Sequence, residues 1–461
     1  MKKSRLHLVS LALALLLALS LSAPALALDD PEPNCRAAIV VDGDHDQVLY
    51  AHNAYERMYP ASVTKIMTSL VVLEAVEDGQ LALDTPVTAS QEAVALPENS
   101  STAGILAGEI LTVEQLLYCD LLPSANEACN ILAEAVAGSV EAFVDRMNAK
   151  AQELGMGGTH FTNPHGLHDE DHYTTAYDIY LMAKAAMEYE TFRTIVSTDT
   201  YVLPATNLSE ERVLHSTNAL LSNWNVIGYT YDKAIGIKTG YTGEAGRCLA
   251  AAAVDDGGRT FYSVVLGTED GYDEQGNYVY YSFYESRRLL EWAFDNFQRT
   301  DLLGEDTVNA VRELPVTLSN EADFVLVRPA GSIQATLPTD YDPEQAELVI
   351  DLPESVQAPI AAGQELGSVS LVYNGITYGP LPMVAVDGVG RSGLQYAIHL
   401  VQTYWSYWWI RIPVILALVL LVLFLLYLAL LRPRRRRNRR RYSYSGGSRH
   451  RPSNYRGRGR R

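Results

Sequence analysis

Tyr59-Pro-Ala-Ser-Val-Thr-Lys-Ile-Met-Thr68 sets a Ser and a Lys three residues apart at the mouth of an apolar run. Leu70, Val71, Val72, Leu73 and Val76 continue that run, and Asp78-Gly79 closes it. Apolar residues fall on nearly every side of such a helix, so it is expected to be buried. Ser62 then stands at the positive end of a helix dipole, where anionic charge is favoured. Lys65 lies one turn on and on the same face, within reach of the Ser62 oxygen. A lysine base works only as the neutral amine, a form favoured by burial and by a second cation nearby. Taken alone, the pair reads equally well as an N-cap Ser followed by a solvated Lys.

Two further strings change that balance. Ser124-Ala-Asn126 falls between the helix-like stretches Val113–Leu122 and Glu127–Ala137, on a break where polar side chains can point into a cleft. Alone, it would be an ordinary helix cap. Lys238-Thr-Gly240 ends the strand-like Ala234-Ile-Gly-Ile237. Cys248–Val254 and Thr260–Leu266 follow as two more strands of an antiparallel meander. Gly240 admits a ligand backbone close to the strand edge, while Lys238 and Thr239 offer a cation and a hydroxyl to a carboxylate.

The three strings, once each and in this order, characterise the penicillin-recognising serine enzymes. The chain resembles the serine D-Ala-D-Ala carboxypeptidases, the low-molecular-weight penicillin-binding proteins of peptidase family S11. The resemblance extends to Gly236-Ile-Lys-Thr-Gly-Tyr-Thr242, Ser263-Val-Val-Leu-Gly267, and Ala362-Gly-Gln-Glu-Leu-Gly367 through Pro382-Met-Val-Ala385. It implies an α/β (α+β) serine β-lactamase/transpeptidase-like catalytic domain. It also implies a Ser62 acyl-enzyme formed on the D-Ala-D-Ala end of a peptidoglycan stem peptide, hydrolysis by water, and trapping by β-lactams. In that scheme Ser62 is the nucleophile, Lys65 the general base and Ser124 a proton relay. Asn126, Lys238, Thr239 and Gly240 bind substrate, and the N–H groups of Ser62 and Tyr241 form the oxyanion hole. No cofactor is implied. A D,D-endopeptidase would use the same residues, and a non-enzymatic wall-binding scaffold would tolerate their loss. A β-lactamase is disfavoured because no Glu-x-x-x-Asn lies between Asn126 and Lys238. The family commonly carries a basic residue just ahead of the position of Glu285-Ser286, where this chain has Ser282.

His160, His165, His168 and His172, with Asp169, Glu170 and Asp171 among them, tempt a zinc reading. Their spacing matches no helix-borne pair of ligands. The surrounding text resembles an ordered loop of the carboxypeptidase family, so no metal is expected. Cys35, Cys119, Cys129 and Cys248 are too few for a disulfide scaffold, though one bridge stays open.

The ends of the chain speak of location. Lys2, Lys3 and Arg5 precede an apolar run, and Ala25-Leu-Ala27 follows, as in a secretory signal peptide over residues 1–27. Ile412–Leu431 is uncharged, and twenty helical residues match a hydrocarbon core of about 30 Å. Tyr404, Trp405, Tyr407, Trp408 and Trp409 form an aromatic belt before it. Fourteen Arg and no acid follow in residues 432–461, a pattern that places the tail in the cytoplasm, against anionic lipid. The net charge is −19; without the +14 of the tail and the +3 of the N-terminus, residues 6–431 carry −36. So acidic a body argues against nucleic acid as a partner.

Residues 28–305 are therefore expected to form the catalytic domain and 306–390 a small all-β domain. Within the latter, Asn374-Gly375 reads as a tight hairpin turn. Residues 391–411 are expected to be a juxtamembrane amphipathic segment and 412–431 the membrane span.

Overall fold

The computed structural model describes residues 31–304 and 307–431. The expected signal peptide and Arg-rich tail lie outside these residues.

Five antiparallel strands build the main sheet: β1 (Ala37–Asp42), β2 (Gln47–His52), β3 (Ala234–Thr242), β4 (Gly246–Val254) and β5 (Thr260–Thr268), in spatial order β2-β1-β5-β4-β3. The expected meander β3-β4-β5 is present, and an N-terminal hairpin not anticipated from the sequence completes the sheet. β1 is buried along its whole length because the sheet is covered on both faces. Ile39, Ala250, Ala252 and Val264 pack into a core with the helices of one layer. Val40, Leu249, Ala251 and Val265 pack instead against Leu289, Leu290 and Ala293. Strands buried on both faces read as continuous apolar runs, with no polar face to mark the period.

The helical layer holds α1 (Lys65–Glu77), α2 (Val113–Leu121), α3 (Asn126–Ala137), α4 (Val140–Glu153), α5 (Ala176–Met187) and the short α6 (Glu190–Val196). α1 is buried on all sides from Lys65 to Leu73, as its composition dictates. A capping box starts α2: Thr112 accepts from the Gln115 N–H and Gln115 caps the Thr112 N–H. The opposite layer is α7 (Tyr281–Asn296).

Between residues 312 and 385 the regular elements are strands, apart from one 3-10 turn at Pro343–Gln345. Glu365–Tyr373 and Ile376–Ala385 are joined by Asn374 at φ +49 and Gly375 at φ +78, the two positive dihedrals a tight hairpin turn requires. By backbone proximity the chain forms two compact units. One takes in the described residues through Ala310 with Pro329–Ile350 and Val369–Leu381; the other takes in Val311–Arg328, Asp351–Ser368 and the described residues from Pro382 onward.

Two helices follow, α8 (Gly393–Ser406), capped by Ser392, and α9 (Trp408–Leu431). Trp408–Leu430 is long and apolar enough to cross a membrane, with a mean hydropathy of 3.1.

Candidate active site

Ser62 sits on one turn of 3-10 helix, Ala61–Thr64, in front of α1. The sequence places the helix start at Ser62, whereas the α-helix begins at Lys65. Ala61 has φ +48, which no right-handed α-helix accommodates. Thr64 Oγ1 donates to the Ala61 carbonyl at 2.8 Å and tightens the turn. Ser62 and Lys65 meet as expected: Lys65 Nζ donates to Ser62 Oγ at 3.0 Å.

Lys65 is wholly buried, and its remaining partners are Asn126 Oδ1 at 2.7 Å and the His165 carbonyl at 2.8 Å. The helix break therefore delivers Asn126 to Lys65. Ser124 adopts φ +65, sparsely allowed for a residue with a Cβ. Its hydroxyl is buried and has no hydrogen-bond partner among the described residues. The break is pinned at the backbone, where Ala125 N donates to the Cys119 carbonyl and Asn126 N to that of Ser101, both at 2.9 Å.

β3 brings Lys238, Thr239, Gly240 and Tyr241 alongside. A Cβ on Gly240 would lie 3.0 Å from Pro60 O and from Ser62 N, so only glycine lets the strand approach the Ser62 turn this closely. Thr239 Oγ1 is 2.6 Å from Thr217 Oγ1. Lys238 is 1% exposed and donates to the Thr239 carbonyl at 3.1 Å. Burial first, and the Lys65 charge second, push its pKa down to about 7.

Three contributors were not legible in the sequence. Asp120, on α2, lies beneath both lysines, fully buried, accepting from Ser69 Oγ at 2.8 Å and Cys129 Sγ at 2.9 Å. Burial raises its pKa against the opposing pull of Lys65. The loop Asn163–Leu167 closes over the Ser62 turn, with the Pro164 carbonyl accepting from Thr68 Oγ1 at 2.5 Å. Its Gly166, at φ +83, is so close that a Cβ would fall 1.8 Å from the Ala61 carbonyl oxygen. Thr217 comes from the loop that precedes β3, at a position no motif marks. The buried run of Ser69, Asp120 and Cys129 offered a weak signal, as polar residues on apolar helices.

The histidines serve this loop. His172 Nδ1 accepts from the Thr162 N–H at 3.1 Å, so Nε2 carries the proton toward Thr64 Oγ1 at 2.8 Å. Burial holds His172 at about 4, and burial with the Lys65 charge holds His165 at about 3. Among the described residues no three His, Cys, Asp or Glu side chains converge as metal ligands. All four cysteines are free.

A nucleophile-bearing turn under a helical layer, a second serine on a helix break and a Lys-Thr-Gly edge strand define a serine enzyme of the penicillin-binding class. A family model described as D-alanyl-D-alanine carboxypeptidase, Peptidase_S11, matches residues 25–270. The D-alanyl-D-alanine carboxypeptidase DacF of Bacillus subtilis is 30% identical over 372 residues, 80% of this chain and 90% of its own length. DacC of Escherichia coli K12 is also 30% identical, over 79% of this chain and 86% of its own. Among solved structures, penicillin binding protein 5 of Haemophilus influenzae matches with a TM-score of 0.61 and 27% identity, covering 78% of this chain and 99% of that one. The chain belongs to the D-alanyl-D-alanine carboxypeptidase family, peptidase family S11, and is a serine-type carboxypeptidase hydrolase.

Proposed function

We propose that Ser62 attacks the carbonyl between the two terminal D-Ala residues of a peptidoglycan stem pentapeptide. The observation that carries this reading is the 3.0 Å contact from fully buried Lys65 to Ser62 Oγ. Lys65 takes the hydroxyl proton as the new C–O bond forms. The oxyanion is received by the N–H groups of Ser62 and Tyr241. Ser124, whose buried hydroxyl is free to donate, relays the proton to the departing amine as the C–N bond breaks. Water then attacks the acyl-enzyme, releasing the shortened peptide and restoring Ser62. Asn126 binds the substrate's peptide carbonyl, and the peptide lies along the free edge of β3 as an added strand, its carboxylate toward Lys238 and Thr239. β-Lactams acylate the same serine.

The catalytic part works outside the cytoplasmic membrane, exported by residues 1–27, held by α9, with the Arg-rich tail inside against anionic lipid. The length and apolarity of α9 support the anchor.

The test is to incubate the full chain, in detergent micelles, with a stem pentapeptide ending in D-Ala-D-Ala and to weigh the products. Loss of one D-Ala, together with penicillin labelling, both abolished in Ser62→Ala, is expected. Labelling that persists in Ser62→Ala would sink the assignment. An intact pentapeptide with cleavage of a cross-linked dimer would move the reading to an endopeptidase.

A further inference from the structure

Two lysines and one carboxylate share the buried floor of the cleft. Lys65, Lys238 and Asp120 are each no more than 1% exposed. Asp120 is held from two helices at once: Oδ2 accepts from Ser69 Oγ at 2.8 Å and Oδ1 from Cys129 Sγ at 2.9 Å. A donor on each oxygen is the arrangement that suits an ionised carboxyl. Ser69 lies four residues after Lys65 on α1, and Cys129 three after Asn126 on α3. Each therefore sits one turn along the face that carries its active-site neighbour. Asn126 is itself a partner of Lys65, at 2.7 Å. The Asp120 carboxylate thus lies one helical turn, roughly 5 Å, behind the contact of Lys65 with Asn126. Lys238 looks into the same space from β3, where Lys65 and Asp120 are charges that act on it.

The other ionisable groups packed around this floor are engaged or uncharged. Glu127 of α3 turns Oε1 to another loop, accepting from Thr102 Oγ1 at 2.6 Å and from the Ala103 N–H at 2.7 Å. Glu109 pairs with Arg212. Burial keeps the thiols of Cys119 and Cys129 protonated and, with the Lys65 charge, keeps the His165 ring neutral. Two buried ammonium groups with no acid beside them would be driven to shed both protons. With one carboxylate below them, the least charged arrangement holds a single proton between the two amines.

We infer that Asp120 is a positioning residue for charge: it keeps one proton on the pair of Lys65 and Lys238, leaving one amine neutral to take the Ser62 proton and the other cationic toward the substrate. The inference goes beyond the roles assigned above, and rests on Lys65 as the base in the carboxypeptidase reading. Because the two lysines titrate together, the pH limits of acylation belong to the pair. Acylation fails in acid when the pair takes up a second proton, and in alkali when it loses the last.

Asp120→Asn keeps the shape and removes the charge. At about 7 Å and an effective dielectric constant of about 20, that charge moves the titration of a lysine by about one to two pH units. The experiment measures the rate of acylation by a fluorescent penicillin from about pH 5 to about pH 10, on the full chain in micelles, for the native protein, Asp120→Asn and Ser69→Ala. Both limbs of the profile should move down by about one to two pH units in Asp120→Asn. They should stay in place in Ser69→Ala, which removes a hydrogen bond and keeps the charge. The position of a limb does not depend on how much of the protein is active, so partial misfolding cannot move it. Limbs that stay in place or rise in Asp120→Asn, or that move as far in Ser69→Ala, overturn the inference alone. A native chain that penicillin acylates at no pH would overturn the carboxypeptidase reading, and this inference with it.

Discussion

Lys238 is a cation placed where a cation is poorly tolerated, and its titration has a thermodynamic sign. Its pKa falls from 10.5, the ordinary value, to about 7 in the fold, chiefly by burial and next by Lys65, with Asp120 pulling the other way. Between pH 7 and 10.5 the unfolded chain therefore binds the proton that the folded chain has released. Stability rises with pH wherever the unfolded state holds more protons. This lysine thus destabilises the fold fully below pH 7 and progressively less up to about pH 10.5. Lys238→Met, which keeps the bulk and removes the charge, is expected to raise the thermal midpoint by several degrees at pH 6. Against the native chain, that gain should shrink steadily toward pH 10. A gain constant across pH would mean that packing, not charge, separates the two proteins.

At the scale of elements, the site depends on loops locking helices in place. Gly166 fits against Ala61 only because it lacks a Cβ and tolerates φ +83. Gly166→Ala must displace the Ser62 turn, at a cost of about 2–4 kcal/mol from overpacking and backbone strain together. Penicillin acylation should slow more than tenfold, while thermal melting shifts down; a normal acylation rate would show that the turn is held without this contact. The same loop shows where sequence reading reaches and where it stops. Ser62, Lys65, Asn126 and Lys238 were visible as short strings and do converge, because each string is local. Asp120 reaches Ser69 across 51 positions of chain, the loop at His165 reaches Lys65 across 100, and Thr217 reaches Thr239 across 22. No local pattern announces such contacts. β1 escaped for another reason, since a strand covered on both faces shows no alternation. The boundary at Ser62 was misplaced because a positive φ at an alanine has no signature in composition.

For the whole molecule, the terminal helices divide anchoring into two strengths. α9 has the length of a span, whereas α8 exposes Leu394, Ile398, Val401 and Trp405 without burying any residue. Such a helix binds an interface through one face and is released far more readily than a spanning helix. The full chain is expected to stay with membranes through high salt and alkaline carbonate. A chain ending at Tyr407 should come off nearly completely in carbonate; its retention there would assign the anchor to α8 rather than α9.

The contact between Thr217 and Thr239 behaves like a weathervane. Two hydroxyls 2.6 Å apart share one proton along the line between them, so either oxygen can be the donor. When Thr217 donates, the Thr239 hydrogen is released toward the cleft and greets an anion. When Thr239 donates, the cleft meets only a lone pair. The polarity of the strand edge thus reverses by the turning of two hydrogens, with every heavy atom left in place. One strand edge can in this way present a donor or an acceptor from the same pair of side chains.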